Sequence, residues 1–104
     1  MEVQLNTDKH IDGHERLELY IKDTVSKTLK RYEDHLMRVV VHLADENAAK
    51  EGPRDKKCVM EARPAGLKPI AVTCIDETVE KAVNGALEKL KSSLAKTTGR
   101  LQNH

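Results

Sequence analysis

Residues 57–74 read K-C-V-M-E-A-R-P-A-G-L-K-P-I-A-V-T-C, and their pattern decides the fold. Two runs of alternating apolar and polar residues flank Pro64-Ala65-Gly66, the residue types of a tight turn. The spacing predicts an antiparallel hairpin of strands Lys57–Arg63 and Leu67–Cys74. Centred on Ala65 to Leu67, its register sets Met60 against Val72 and Ala62 against Ile70, all on one face. A slip of one residue would turn every side chain over, so turn and hydrophobic pattern agree on this register.

Working outward, Met37–Leu43 is a β-branched run that reads as a strand with Val39, Val41 and Leu43 inward. It is separated from the hairpin by Asp45 to Asp55, which has the Asn, Gly and Pro of a loop and no apolar period. Val3-Gln4-Leu5-Asn6 alternates like a further strand. Between it and Met37, Asp12-Gly13-His14-Glu15 has the form of a capping box, with Asp12 as N-cap. Leu17, Ile21, Val25 (or Thr24), Thr28, Leu29 and Tyr32 then make one helical stripe, ending near Glu33. After the hairpin, Asp76 is the expected N-cap of a second helix with the stripe Val79, Val83, Ala86, Leu87, Leu90 and Leu94. Glu77 and Glu80 at its start and Lys91 and Lys96 toward its end complement the helix dipole, and Gly99 fits a C′ stop.

The order is β-α-β-β-β-α. Every helix stripe and sheet face needs a partner, so the economical arrangement is an α+β domain with both helices on one face of a four-stranded sheet. The outer sides of the helices would then be presented together. The opposite sheet face would show Gln4, Arg38, His42, Lys57, Glu61, Arg63 and Thr73.

At 104 residues the chain is expected to be one domain, residues 1–104. With Phe and Trp absent and only Tyr20 and Tyr32 aromatic, its core must be aliphatic. Hydrophobic residues at 38% exclude long disorder, and no apolar run approaches the ~20 residues that cross a bilayer. With no signal peptide in view, a cytoplasmic protein without a membrane partner is expected. The net charge is only +1, but it is unevenly spread. Residues 1–18 carry a net −3, while 22–31 and 88–104 each carry +3. The basic segments contain Lys22, Lys27, Lys30 and Arg31, and Lys89, Lys91, Lys96 and Arg100. Such patches attract a polyanion locally even on a neutral protein, although solvated helix faces look the same in sequence.

Constellations for chemistry are missing. Cys58 and Cys74 fall opposite each other in the hairpin register and belong to no C-x-x-C pair, so free thiols in the core are expected. His10 and His14 have an i, i+4 spacing, but Gly13 and the capping box put the helix entry between them. No metal site, cofactor or small-molecule substrate is expected. The nucleophile elbow, the P-loop and the dinucleotide fingerprint are all absent, so the chain does not read as an enzyme. The sheet also lacks the aromatic platform of an RRM, and there is no GXXG loop. Phosphate contact by helix-borne Lys and Arg remains as a mode of nucleic-acid binding. The element order looks like that of a double-stranded-RNA domain with one strand added in front.

These segments resemble the ribosome hibernation-promoting factors and the related ribosome-associated inhibitor protein Y. Gln4-Leu5-Asn6-Thr7-Asp8-Lys9-His10-Ile11-Asp12 looks like their start, and Leu29-Lys30-Arg31-Tyr32-Glu33-Asp34-His35-Leu36 like the end of their first helix. Val39-Val40-Val41 resembles their next strand, and Ala82 to Leu90 with Leu94-Ala95-Lys96 their last helix. The likeness spans residues 2–101 and implies a short, single-domain, monomeric factor in the small-subunit channel where messenger and transfer RNA bind. It implies translation silenced in stress by Lys and Arg on ribosomal RNA. Lys27, Lys89, Lys96 and Arg100 match basic positions of the family, whereas Lys22, Lys30, Arg31 and Lys91 are added on charge alone.

The chain also departs from the family. The usual D-M-Y is here Glu77-Thr78-Val79, K-L-x-R-Q is Lys89-Leu90-Lys91-Ser92-Ser93, and Thr24 stands for a lysine. Each lost cation lowers phosphate affinity. The alternative expectation is therefore a protein-interaction module that keeps the fold without the ribosome, using the open sheet edge or the loop from Asp45 to Asp55.

Overall fold

The computed structural model describes residues 1–8, 11, 13–46 and 55–102, the last five by backbone alone. Four strands form one sheet in the order β1 (Glu2–Thr7), β2 (Leu36–Asp45), β3 (Lys56–Pro64) and β4 (Ile70–Asp76). β1 and β2 are parallel, and the helix α1 (His14–Thr28) supplies the crossover they require. β2–β3 and β3–β4 are antiparallel. The second helix, α2 (Val79–Gln102), packs on β3 and β4, and α1 lies by β1. The expected α+β arrangement, with both helices on one sheet face, is what the chain forms.

The hairpin register is as its pattern dictates. Met60 pairs with Val72, Ala62 with Ile70 and Cys58 with Cys74. Gly66, at φ 74°, takes the left-handed position of the turn, where a Cβ would be strained. β4 starts at Ile70 rather than Leu67, because Pro69 has no N–H to give a ladder. The strands on either side of the 47–54 segment are clamped at their ends. Lys56 Nζ reaches Asp55 Oδ1 at 2.8 Å and Asp45 Oδ2 at 3.2 Å, and the Glu46 N–H donates to the Asp55 carbonyl at 2.7 Å. The conformation of residues 47–54 lies outside the described residues.

The core is aliphatic, as the composition requires. Ile21, Val25 and Leu29 from the first helical stretch meet Val39, Val41, Leu43, Cys58 and Met60 from the sheet, and Ala82, Val83, Ala86, Leu87, Leu90 and Leu94 from α2. Full burial of one such Leu, Ile, Val or Met is worth about 1.5–3 kcal/mol. Both cysteines are free, and burial pushes the Cys58 thiol up to about 12, so it stays protonated at neutral pH.

Helix ends depart from the sequence reading. α1 stops at Thr28, and residues Lys30–His35 form a 3₁₀ helix instead of carrying α1 to Glu33. The tighter turn still buries Tyr32 beside the core, so the stripe is kept while the geometry changes. Gly13, with φ 72°, is the N-cap of α1 and makes no side-chain cap bond. Asp12, the expected cap, lies outside the described residues. At α2 the cap is Thr78 and not Asp76. Thr78 Oγ1 accepts the Lys81 N–H at 3.1 Å and its carbonyl accepts the Ala82 N–H at 3.0 Å, while Asp76 Oδ1 accepts the Glu77 N–H at 2.7 Å within the connection. Gly99 does not end α2, which runs on to Gln102. One glycine costs a helix only about 1 kcal/mol relative to alanine.

At Gly85, α2 comes close to β4. A Cβ there would stand 2.4 Å from Cys74 Sγ, inside contact distance. Gly85→Ala is therefore expected to destabilise the protein by about 1–3 kcal/mol through overpacking. In a Cys74→Ala background the same change should become stabilising by up to about 1 kcal/mol, from helix propensity alone. Urea denaturation of the four proteins of this cycle measures the change of sign.

Candidate nucleic-acid interface

The direction of each element determines where the basic residues collect. β1 and β2 run the same way, so α1 runs back between them. β4 is antiparallel to β3 and hence parallel to β2. Along α2, Gly85 meets Cys74 and Lys89 meets Thr73, so α2 descends as β4 ascends. Both helices therefore point their C-termini at the end of the molecule where β1 and β2 begin. His35 and Ala65 also meet there, through the Ala65 N–H and the His35 carbonyl at 2.9 Å. Cations at this end complement the partial negative charge of two helix C-termini.

The eight basic residues singled out in the sequence fall into different situations. Lys22 and Lys27 are paired with acids one turn earlier: Lys22 Nζ lies 2.9 Å from Glu18 Oε1, and Lys27 Nζ 3.1 Å from Asp23 Oδ2. The Lys22 hydrogen bond holds the Glu18 carboxyl below its usual value. These are exposed i, i+4 pairs with the acid on the N-terminal side, which contribute little to stability and are open to competition from another anion. Lys30 is exposed with no acidic partner among the described residues, and Arg31 stands 5.9 Å from the centroid of the buried Tyr32 ring.

On α2, Lys89 has a structural engagement. Its Nζ donates to the Thr73 carbonyl at 2.6 Å, covering the outer edge of the edge strand β4. Lys91 and Lys96 are exposed and have no acidic partner among the described residues. At 3.6 residues per turn, Lys89 and Lys91 point about 160° apart, with Lys96 near Lys89. The basic residues of α2 therefore do not share one face of that helix. Of the cations without an acidic partner among the described residues, Lys30 and Lys96 lie toward the end where both helices terminate, and Lys91 stands midway along α2. Leu94 is the last buried residue among the described side chains of α2, so Lys96 lies past the core. The side chain of Arg100 lies outside the described residues.

One arrangement escaped the sequence reading. Thr7 Oγ1 lies 2.9 Å from His14 Nδ1, and His14 Nε2 lies 3.5 Å from Glu18 Oε2. Hydroxyl, imidazole and carboxylate in that order have the logic of an activated nucleophile. Here Glu18 is shared with Lys22, and His14 and Glu18 are open to water, so the chain of contacts works as a tie from β1 to the start of α1. The strand-to-helix register that brings Thr7 to His14 leaves no period in the sequence. His10 lies outside the described residues, and among those described no three of His, Cys, Asp and Glu gather as metal ligands. No helix among them is long and apolar enough to cross a membrane.

Comparison with known proteins adds to this geometry. The sequence profile of the family described as sigma 54 modulation protein / S30EA ribosomal protein matches residues 6–102. The fold is similar to that of the Protein Y N-terminal domain of Thermus thermophilus, with a TM-score of 0.70 at 16% identity, over 93% of this chain and 99% of that one. It is also similar to a ribosomal subunit interface protein from Coxiella burnetii, with a TM-score of 0.69 at 15% identity, over 95% and 99% of the two chains. No curated protein matches in sequence.

The paired lysines give a direct test of the charge arrangement. Glu18→Gln with Asp23→Asn frees Lys22 and Lys27, and should raise the salt needed to elute the protein from a heparin column. The melting temperature should move little, because exposed pairs contribute little.

Proposed function

The chain belongs to the sigma 54 modulation protein / S30EA ribosomal protein family, and from that premise we infer that it binds the small ribosomal subunit through ribosomal RNA. In this reading it is a hibernation-type factor of the cytoplasm that acts as a monomer and without catalysis. It lies in the RNA channel of the subunit, raises the apparent dissociation constant of messenger and transfer RNA by occupancy, and so inhibits translation under stress. The observation that carries the reading is that Lys30, just past α1, and Lys96, past the core end of α2, are both exposed, have no acidic partner among the described residues and lie toward the end where both helices terminate, within a chain of this family; exposed Lys91 stands midway along α2. Lys22, Lys27 and Arg31 extend that surface, and Arg100 follows it in sequence. The Glu18 and Asp23 partners of Lys22 and Lys27 would give way to phosphate, which can bring more than one acceptor to each ammonium group.

Lys89 holds a different position in this account. Its bond to the Thr73 carbonyl makes it a guard of the sheet edge, so reversing its charge disturbs the fold as well as any RNA contact. The internal pairing of Lys22 and Lys27 and the engagement of Lys89 also favour a second reading: a protein-interaction module that retains the fold without the ribosome.

Co-sedimentation with isolated small subunits over a salt series separates the two. With three or four phosphate contacts, affinity should fall about 20- to 100-fold between roughly 50 and 200 mM salt. Substituting Lys30, Lys91 and Lys96 by Glu, with Lys89 left in place, should abolish co-sedimentation while the circular dichroism spectrum is unchanged. Absence of co-sedimentation by the parent protein at the lowest salt would overturn the ribosomal reading and leave the interaction module.

A further inference from the structure

The open face of the sheet carries a second group of unpartnered cations. Arg38 on β2 and Arg63 on β3 are register partners, and both are exposed. An irregularity in the β2–β3 ladder between Leu36 and Arg38 sets them there. It adds Met37 to β2, so Leu36 and Val39 both face the core while Arg38 faces out. Bulges of this kind re-aim side chains. The result is two like charges directly opposite on neighbouring strands, an arrangement that opposes folding.

The nearby acids are turned to other partners. Glu61 Oε1 lies 3.2 Å from His42 Nε2, and Glu2 Oε1 accepts the Gln4 amide at 2.7 Å. Among the described residues neither arginine has an ion pair. Together with Val40, Glu61, Ala62 and Pro69 they line an open pocket of about 250 Å³. A volume somewhat below the 300–1,000 Å³ of pockets for drug-sized ligands suits a phosphate and its attached sugar better than a whole cofactor.

We propose that this pocket is a phosphate site, in which the guanidinium groups of Arg38 and Arg63 hold one phosphate group of a nucleotide or of an RNA strand. Two planar forks of N–H donors match the oxygens of a phosphate, and its charge removes the repulsion between them. Val40 and Pro69 offer an apolar wall to the attached sugar. The site is on the sheet face away from the helices, near the start of β2 and hence toward the same end of the molecule as Lys30 and Lys96. Charge reversal at those lysines leaves it intact.

The test titrates inorganic phosphate, AMP and a short oligouridylate into the full chain at low ionic strength. The Arg38 and Arg63 side-chain Nε–Hε resonances report binding by NMR, and thermal melting is followed in parallel. Saturable shifts at both arginines are expected, with affinity falling about tenfold or more for each arginine replaced by Gln. Phosphate should raise the melting temperature of the parent and leave that of R38Q/R63Q unmoved. The double variant should itself melt no lower than the parent, because it has lost a like-charge opposition. Tighter binding of the oligouridylate than of AMP assigns the site to an RNA strand, and equal binding of AMP and inorganic phosphate with no gain from the oligomer assigns it to free phosphate. Absence of saturable shifts with all three probes, or a phosphate-induced rise in the melting temperature of R38Q/R63Q equal to the parent's, would overturn the proposal. So would a double variant that melts well below the parent, since the pair would then be structural. R63K keeps the charge but loses the fork, and unchanged phosphate affinity in it would equally overturn the site.

Discussion

The close approach of α2 to β4 at Gly85 and Cys74 is the contact on which the rest of the structure depends. An aliphatic core without Phe or Trp has no large rings to bridge a gap between layers, so helix and sheet must come near each other. Gly85 permits that approach, with Cys74 Sγ standing where a Cβ would need room. The same seating lowers the stripe from Ala82 to Leu94 onto the sheet and brings Lys89 to the Thr73 carbonyl. One contact thus sets the depth and direction of α2. Which lysines remain available to a partner follows from it.

Charge is sorted by topology rather than by helix face. A parallel β1–β2 pair forces α1 to run back, and a β3–β4 hairpin forces α2 to do the same, so both C-termini meet at one end. Lys27 in the last turn of α1 complements its own helix dipole, and Lys30 and Lys96 lie toward the same end. Lys22 and Lys27 are balanced by acids one turn earlier. A near-neutral chain can in this way hold a local surface suited to phosphates, with the paired lysines as a reserve that a competing anion can recruit.

Much of this was legible in the sequence. The hairpin was readable because strand period, turn residues and facing apolar pairs constrain one another: Met60 cannot face Val72 unless Ala62 faces Ile70. The two helix stripes were readable for the same reason, a period sustained over several turns. Helix ends were not, because they turn on local geometry. Asp76 and Thr78 are both good capping residues, and the choice between them depends on where β4 lets the chain leave the sheet. The change to a 3₁₀ turn after Thr28 keeps Leu29 and Tyr32 buried, so the apolar pattern is blind to it. The basic positions were correctly placed on or beside helices, but their partners were hidden. An outward strand carbonyl for Lys89 leaves no trace in sequence, whereas the i, i+4 acids of Lys22 and Lys27 were there to be read. The Arg38–Arg63 pair needs the β2–β3 register across residues 47–54 and the extra Met37, neither of which a period supplies.

The central claim is that the end of the molecule bearing the helix C-termini is the surface that meets ribosomal RNA. Lysine acetylation rates, read residue by residue in the free protein and in the complex with small subunits, test it most directly. Strong protection of Lys30, Lys91 and Lys96 is expected on binding, with Lys57 and Lys81, paired to Glu46 and Glu77 toward the opposite end, changing little. Unaltered reactivity of Lys91 and Lys96 in the saturated complex would contradict it.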